Sequence, residues 1–397
     1  MQRRTLLQMA LAYSGTSVLY PAMAQDKSKT AWSVRMADSD IKRNPEAWML
    51  DFAKKPFWGY CQGLVCLSLQ KLWEYNGEIK YYEYVKKYAD DLILADGTIT
   101  TYDKEKYNID AVNSGKILFA IYGKTKEAKY KKALDTLRDQ MRSHPRTTEG
   151  GFWHKKHYPH QMWLDGLYMA TPFLAQYAKV FQEPKLFDDV AKQILLIDRH
   201  NKNQITGLYS HGWDESKQEK WADKETGKSA HTWGRGMGWY AMTLVDTLEF
   251  FPKNHPQYKA ILDITHQVAK TLQKYQDTST GLWYQVMDVG EKEGNYVEAS
   301  ASTMFVYTLM KGIRLGAIDK KYLTTAQKGY QGILKHFIKE QPDGGITIAE
   351  TCAGAGLGGN PYRDGTYEYY CKEAKRDNDP KAVGPFILLA IEFEKRS

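Results

Sequence analysis

Apolar residues are concentrated in six stretches of the chain that share one layout. Each stretch opens with small or polar residues and continues as a run that is apolar around most of a helical circumference, as in a buried helix. The stretches begin at Gly59, Asp110, Asp165, Arg235, Ser300 and Val383. Amphipathic stretches with one charged face lie between them, for example from Pro184 and from Tyr258. This alternation predicts an inner ring of helices inside an outer ring, an all-α (α/α)6 barrel.

A glycine followed by large apolar residues precedes several of these stretches. The pattern occurs at residues 150–153, 207–209, 281–284 and 344–346. Such segments favour a turn that enters a short strand. We therefore expect the loops to repeat with the helices and to place short strands at the active-site end of the barrel, where the inner helices begin. Asp110, Asp165 and Arg235 each head an inner helix, so they are expected to meet at that end.

The N-terminal residues follow a different pattern. Arg3 and Arg4 precede an apolar stretch that ends in Ala22, Met23 and Ala24, which is the layout of an export signal. We expect residues 1–24 to be removed by the general secretory route, and residues 25–397 to form a single domain. The protein is then exported, either periplasmic or secreted. The remaining chain has no apolar run long enough to span a bilayer.

Charge and cysteine content narrow the class of protein further. The formal net charge of +8 is spread along the chain and forms no basic stripe, so the sequence does not indicate nucleic acid binding. Cys61 and Cys66 are five residues apart on one predicted helix, so they point to different faces and do not pair. Cys352 and Cys371 either pair across a loop or remain free. Stability is expected to come mainly from core packing.

The segment HTWGRGMGWYAM, residues 231–242, has the composition of a sugar-binding pocket. Arg235 lies among three glycines, with Trp233 and Trp239 on either side. Indoles offer a sugar ring an apolar face, and a guanidinium holds a carboxylate with two parallel hydrogen bonds. Two tryptophans in an apolar helix also suit an ordinary core. Gly-Arg-Gly is poor material for a core or a helix, which favours a pocket for an acidic sugar.

Two aspartates at predicted helix starts have two interpretations each. A carboxylate there caps the helix or takes part in chemistry. The flanking Trp163 and Gly166 favour chemistry for Asp165, whereas for Asp110 both interpretations stay open.

Histidines lie in the loops at the same predicted end. His154, His157 and His160 have a spacing that could hold zinc on a helix. Pro159 interrupts this segment, so we predict a loop at the rim and no metal. His211 follows one of the repeated glycine segments and is either structural or part of the site.

Several blocks of the chain, in the same order, resemble one enzyme family. QMWLDGLYMATPFLAQYA, HTWGRGMGWYAMTLVDTL, YNIDAVNSGKILFAIYG and PYRDGTYEYY are similar to the unsaturated rhamnogalacturonyl and glucuronyl hydrolases of glycoside hydrolase family 105. The resemblance covers nearly the whole chain after the export signal. It implies an (α/α)6 barrel without a metal or organic cofactor. It also implies an acidic substrate, the 4,5-unsaturated uronic acid that polysaccharide lyases leave at the non-reducing end of oligosaccharides.

The resemblance also assigns residues. The family's general acid/base falls on Asp165, and its second pocket aspartate falls on Asp110. Its sugar-binding residues match Trp163, His211, Trp233, Arg235 and Trp239. Its basic loop pair matches His154 and Lys155, and its C-terminal rim matches Tyr362, Arg363, Asp364 and Tyr367.

Two other functions fit the same residues. One is an inverting (α/α)6 glycosidase acting on saturated sugars with two separated carboxylates. The other is a noncatalytic periplasmic protein that binds oligosaccharides. The sugar that follows the uronate also stays open between rhamnose, galactose and sulfated rhamnose. Asp165→Asn separates an enzyme from a binding protein, because only an enzyme requires this carboxyl group for turnover.

Overall fold

Helices begin and end close to the boundaries that the apolar pattern predicts. The computed structural model of the chain describes residues 31–396. Its α-helices are, in chain order, α1 (Trp32–Arg43), α2 (Tyr60–Asn76), α3 (Ile79–Leu92), α4 (Leu118–Thr125), α5 (Ala128–Ser143), α6 (Leu164–Phe181), α7 (Leu186–Asn201), α8 (Gly234–Leu248), α9 (Tyr258–Lys274), α10 (Ala299–Leu315), α11 (Leu323–His336), α12 (Tyr367–Lys372) and α13 (Pro380–Glu394). Segments of 3-10 helix cover Ala47–Phe52, Lys104–Lys106, Ile109–Ile117, Met287–Val289 and Lys320–Tyr322.

Six helical elements form a closed inner ring. In order of contact these are α2, the Ile109–Ile117 segment that leads into α4, α6, α8, α10 and α13, which returns to α2. The outer helices α3, α5, α7, α9 and α11 each pack on the inner element that precedes them, and α1 packs on α13. The predicted (α/α)6 barrel is confirmed. Every residue of α8 is buried, as expected of a helix without a polar face.

Short strands pair in the loops at the end where the inner helices begin. Strand β1 (Gln161–Trp163) pairs antiparallel with β2 (Gly212–Asp214), β3 (Ile338–Glu340) with β4 (Ile346–Ile348), and β5 (Thr351–Cys352) with β6 (Lys375–Arg376). The predicted glycine turns share one backbone conformation, because Gly150, Gly207, Gly281 and Gly344 have φ values of 92°, 79°, 76° and 81°. Glycine adopts this left-handed region without steric cost. The loops therefore repeat with the helices.

The helix predicted from Asp110 begins as a 3-10 segment, Ile109–Ile117, before α4. Two polar side chains explain the difference. Ser114 Oγ donates to the Gly59 carbonyl at 2.7 Å, and Asn113 Nδ2 donates to the Tyr60 carbonyl at 2.9 Å. Both bonds join residues more than 50 positions apart in sequence, and they tie the segment to the start of α2.

The barrel interior holds charged groups as well as apolar ones. Lys116 is 3% exposed. Its Nζ donates to the Tyr168 carbonyl at 2.7 Å and lies 3.6 Å from the centre of the Tyr168 ring. Burial lowers the pKa of Lys116 to about 7. Lys311 Nζ on α10 contacts Asp246 Oδ1 and Glu249 Oε2, at 2.7 Å each, near the opposite ends of the inner helices.

The remaining sequence expectations concern cysteines and membranes. All four cysteines are free, so Cys352 and Cys371 do not pair. No helix among residues 31–396 is long and apolar enough to cross a membrane. The predicted export signal, residues 1–24, lies outside the described residues and stays a prediction.

Candidate active site

Asp165 lies in the first turn of α6, where the chain leaves β1. The pairing of β1 with β2 brings His211, which directly precedes β2, beside it: the Leu164 amide donates to the His211 carbonyl at 3.0 Å. His211 Nε2 is 3.0 Å from Asp165 Oδ2. The Asp165 side chain is 14% exposed and that of His211 is 0% exposed. Asp165 is thus held by a buried histidine while part of its carboxyl group remains open to solvent.

Tyr370 on α12 extends this contact to a third group. Its hydroxyl lies 2.8 Å from His211 Nδ1. The ring of Trp233, the residue before α8, lies against both, with centroids 4.8 Å from His211 and 6.2 Å from Tyr370. Burial raises the pKa of Tyr370 well above its ordinary value, so the phenol remains protonated. Tyr370, His211 and Asp165 form a continuous hydrogen-bonded chain.

Asp110 is the second carboxylate at this end of the barrel. The Asn108 side chain accepts from its amide at 3.1 Å and starts the 3-10 segment. Lys155 Nζ lies 2.6 Å from Asp110 Oδ2, and the Asp110 side chain is 14% exposed. His154 Nε2 is 4.0 Å from Asp110 Oδ1, which is too long for a hydrogen bond. The charge of Asp110 is therefore compensated by Lys155.

His154 packs between the two carboxylates. Its ring stacks on Trp163 with centroids 4.2 Å apart. A Cβ added to Gly166, the residue after Asp165, would lie 3.1 Å from His154 Nδ1. Burial and the nearby Lys155 lower the pKa of His154 well below its ordinary value, so the ring is neutral. Within residues 31–396, Nδ1 is buried and has no hydrogen-bond partner.

An aromatic wall continues from this histidine to the rim. Trp163 also stacks on Tyr158 at 4.9 Å. Arg363 lies over the Trp163 ring at 5.9 Å and donates from Nη2 to the Tyr158 hydroxyl at 2.6 Å. Tyr362 is 43% exposed, and its hydroxyl accepts from the Trp221 amide at 3.0 Å. The predicted rim residues Tyr362 and Arg363 are thus next to the predicted pocket.

Arg235 and Trp239 lie deeper than their neighbours, each 1% exposed. Arg235 Nε donates to Ser300 Oγ at 2.7 Å, Nη2 donates to the Cys352 carbonyl, and Nη2 lies 3.6 Å from Glu298 Oε1. Trp239 stacks on Tyr168 with centroids 4.8 Å apart. Arg235 thus joins α8 to α10 and β5. A contact of either residue with sugar stays a prediction.

Two of the three glycines around Arg235 serve close packing, which the sequence interpretation did not anticipate. A Cβ on Gly234 would lie 2.8 Å from the Tyr284 carbonyl oxygen and 3.0 Å from Ala301 Cβ. A Cβ on Gly238 would lie 2.7 Å from Met304 Sδ. The expectation that Gly-Arg-Gly is poor helix and core material was wrong, because α8 begins at Gly234 and is buried throughout. Its glycines let α8 approach α10 closely.

The three spaced histidines do not converge. His157 lies against Tyr158 and His160 against Trp153, whereas His154 lies against Trp163. In the described part of the chain, no group of three His, Cys, Asp or Glu side chains could hold a metal ion.

Sequence reasoning missed several partners of the site residues, namely Tyr370, Tyr158, Glu298 and Asn108. Tyr370 stands in the PYRDGTYEYY block, but nothing in that block distinguishes it from the neighbouring tyrosines. Glu298 is an acidic residue directly before an inner helix, the signal that drew attention to Asp165.

Comparisons with known proteins identify the family to which the chain belongs. The model of Glycosyl Hydrolase Family 88 matches residues 32–397. A glycoside hydrolase of family 105 from C. acetobutylicum ATCC 824 is 45% identical, with a TM-score of 0.88 over 92% of this chain and all of that one. The unsaturated rhamnogalacturonyl hydrolase YesR of Bacillus subtilis is 26% identical over 303 residues, which cover 75% of this chain and 79% of that protein.

A 24.9 kDa protein in the picA locus of Rhizobium radiobacter is 34% identical over 232 residues, which are 56% of this chain and 97% of that protein. The family match extends from α1 to the end of the chain, and it includes every residue of the site described above. The protein is a glycoside hydrolase, and it belongs to the family 88 and 105 group of unsaturated glucuronyl and rhamnogalacturonyl hydrolases.

Proposed function

We propose that the protein removes a 4,5-unsaturated uronic acid from the non-reducing end of lyase-generated oligosaccharides, with Asp165 as the general acid and base. The observation that carries this proposal is the hydrogen bond between His211 Nε2 and Asp165 Oδ2, at 3.0 Å, beside a carboxyl group that is still partly exposed. One oxygen is held in place by protein, and the carboxyl group can reach a ligand. The name of the YesR relative supports this substrate class.

The chemistry needs one group that first donates a proton and then accepts one. The C4=C5 bond of the substrate is an enol ether, with the ring oxygen on C5. A proton from Asp165 adds to C4, and the electron pair of the double bond forms the new C–H bond. Positive charge then develops on C5 and the ring oxygen. The Asp165 carboxylate takes a proton from water as that water adds to C5. The resulting hemiketal opens by breaking the bond between C5 and the ring oxygen, and the C5 hydroxyl proton passes to that oxygen. This gives a C5 ketone and a C1 hemiacetal, which collapses to an aldehyde and releases the glycosidic oxygen as an alcohol.

Asp110 and Lys155 support this chemistry as a fixed pair. With Lys155 Nζ at 2.6 Å, Asp110 is positioned to accept hydrogen bonds from sugar hydroxyls without adding an uncompensated negative charge. An inverting glycosidase instead requires a second carboxylate that is free to activate water. The ion pair therefore favours a single acid/base residue over that alternative.

Turnover of defined oligosaccharides tests the proposal. Products of pectin, arabinogalactan and ulvan lyases would be incubated with the protein, together with saturated counterparts of the same sugars. We expect the ultraviolet absorbance of the C4=C5 bond to disappear with at least one lyase product. Cleavage of saturated glycosides alone would contradict the proposal.

Asp165→Asn tests the assigned residue. Because no other group transfers the proton, kcat should fall by at least the ~10²- to 10⁴-fold typical of general acid/base catalysis. Asp263→Asn is the matched control, since Asp263 pairs with Lys259 on the outer helix α9, away from the site. The control should retain parental activity, and both variants should melt near the parental temperature. Activity of Asp165→Asn within tenfold of the parent would refute the assignment.

A further inference from the structure

Tyr370 is linked to Asp165 through His211, to which both residues are hydrogen-bonded. We propose that Tyr370 is a positioning residue that fixes the tautomer of His211 and thereby decides which oxygen of Asp165 carries the transferable proton. The inference rests on the proposed acid/base function of Asp165. It concerns a phenol that lies on α12, outside the ring of inner helices, and that is 0% exposed.

The hydrogen-bond partners of Tyr370 determine which group donates and which accepts at each step between Tyr370, His211 and Asp165. Among residues 31–396, the Tyr370 hydroxyl has one hydrogen-bond partner, His211 Nδ1, at 2.8 Å. A buried hydroxyl proton without an acceptor is costly. The phenol therefore donates to Nδ1, which must be unprotonated. A neutral imidazole with a free Nδ1 carries its proton on Nε2, so Nε2–H donates to Asp165 Oδ2 at 3.0 Å.

This tautomer has its main effect when Asp165 is protonated. An Asp165 carboxylate would attract an Nε2–H proton without help from Tyr370. Once Asp165 gains a proton, that attraction weakens, and a free imidazole could instead accept the Asp165 proton at Nε2. The proton would then face His211 rather than the sugar. Donation by Tyr370 keeps Nε2 protonated, so the Asp165 proton remains on Oδ1.

The other groups that face Asp165 do not replace this function. His154, from the loop before β1, is neutral and is influenced by the Asp165 charge, but its Nε2 points towards Asp110 at 4.0 Å. Lys155 pairs with Asp110. Tyr370 on α12 is itself within electrostatic range of Asp165. Within the described residues, His211 is the hydrogen-bond partner of the Asp165 carboxyl group. The tautomer of His211 is set by its hydrogen bond with Tyr370.

Kinetics of Tyr370→Phe give the first test. We expect kcat to fall about three- to tenfold, the effect of one lost hydrogen bond of ordinary strength, with KM nearly unchanged. The alkaline limb of the kcat/KM profile should move to higher pH, since a weaker N–H donor stabilises the Asp165 carboxylate less. Tyr369→Phe is the matched control, because the Tyr369 hydroxyl accepts from the Gly356 amide at 3.0 Å and does not contact His211. In Tyr369→Phe the alkaline limb of the kcat/KM profile should stay at the parental pH.

Nitrogen NMR of protein labelled with 15N-histidine gives the second test and needs no substrate. The His211 signals are identified by their absence from His211→Gln. We expect an Nε2-protonated ring in the parent at the pH of highest turnover, and a mixture of tautomers in Tyr370→Phe. A parental ring protonated on Nδ1 or on both nitrogens would overturn the proposal.

An unchanged tautomer together with an unmoved alkaline limb in Tyr370→Phe would also overturn it. A parent that consumes no unsaturated oligosaccharide would refute the proposed function instead. In that case the NMR result alone would decide whether Tyr370 controls His211.

Discussion

Arg235 shows how a residue that the sequence assigns to a pocket can also hold the fold together. Its guanidinium contacts Ser300, the Cys352 carbonyl and Glu298 while being 1% exposed. Three partners around one planar group require the geometry of arginine, which lysine does not reproduce. The ion pair between Arg235 and Glu298 is fully buried. A substitution that disrupts its geometry therefore leaves a buried charge without a partner.

Arg235→Lys should therefore lower the melting temperature. Loss of hydrogen bonds to a buried charged group should reduce the free energy of unfolding by roughly 1.5 to 3 kcal/mol, as measured by urea denaturation. Arg199→Lys is the matched control. Arg199 pairs with Glu149, and the two side chains are 66% and 36% exposed, where a pair contributes about 1 kcal/mol or less. If Arg235→Lys melts like the parent but loses kcat/KM, Arg235 acts mainly on the substrate.

At the residue scale, sequence reasoning predicted positions that depend on a helix start. Asp165 and Asp110 could be placed at one end of the barrel because each stands at the beginning of an apolar run, and their roles in catalysis stay predictions. Tyr370 could not be found in this way. Its contact with His211 joins residues 159 positions apart, and only the docking of α12 brings them together.

At the scale of single elements, α8 depends on its glycines for contact with α10. Gly234 and Gly238 are one helical turn apart, so they lie on the same face. An added methyl group at Gly234 would meet the backbone oxygen of Tyr284 at 2.8 Å, an atom that cannot rotate away as a flexible side chain would.

Gly234→Ala should therefore destabilise the protein. Overpacking at a close helix contact costs roughly 1 to 3 kcal/mol, which thermal and urea denaturation would both show. Gly123→Ala on α4 is the control, since an added Cβ there has nothing within 4 Å. That control should be neutral, or more stable by about 0.5 to 1 kcal/mol, because alanine favours a helix interior. Equal stability of the two variants would contradict the packing explanation.

The apolar pattern predicted the position of each inner element, but it did not predict every backbone type. It did not predict that residues 109–117 form a 3-10 helix, because side chains of this segment bond to the start of α2, which is distant in sequence. The same limit explains the error at Gly-Arg-Gly. Helix propensity describes an isolated helix. In the barrel, close packing of α8 against α10 favours glycine, which has no side chain.

At the scale of the whole molecule, the barrel encloses a lysine near its centre. Lys116 donates to the α6 backbone at Tyr168 and is within electrostatic range of Asp246 on α8 and Lys311 on α10. Burial lowers its pKa from 10.5 to about 7. Below about pH 7 the folded barrel contains a charge that the unfolded chain would expose to water, which disfavours folding. Above about pH 10.5 Lys116 is neutral in both states, and this cost disappears.

Lys116→Met tests this linkage. Relative to the parent, the variant should gain most stability below about pH 7, and the gain should shrink as pH rises towards 10.5. Urea denaturation of both proteins across this range measures the difference directly, and other titrating groups cancel in the comparison. A difference that stays constant between these two pH values would show that Lys116 is charged throughout in the folded protein.

The closure of the ring has a consequence for how the chain folds. The Ser33 amide and hydroxyl on α1 donate to the Glu394 carboxylate on α13 at 3.0 and 2.6 Å, a contact between residues 361 positions apart. An open array of helical repeats can nucleate anywhere and lengthen one unit at a time. In a closed ring the faces of α2 and α10 that contact α13 stay unpaired until α13 packs between them. The conformational entropy of closing the longest loop is therefore lost before the final stabilising contacts form. Folding should therefore be slow and cooperative, and the last barrier should be the insertion of α13 rather than the formation of any single helical hairpin.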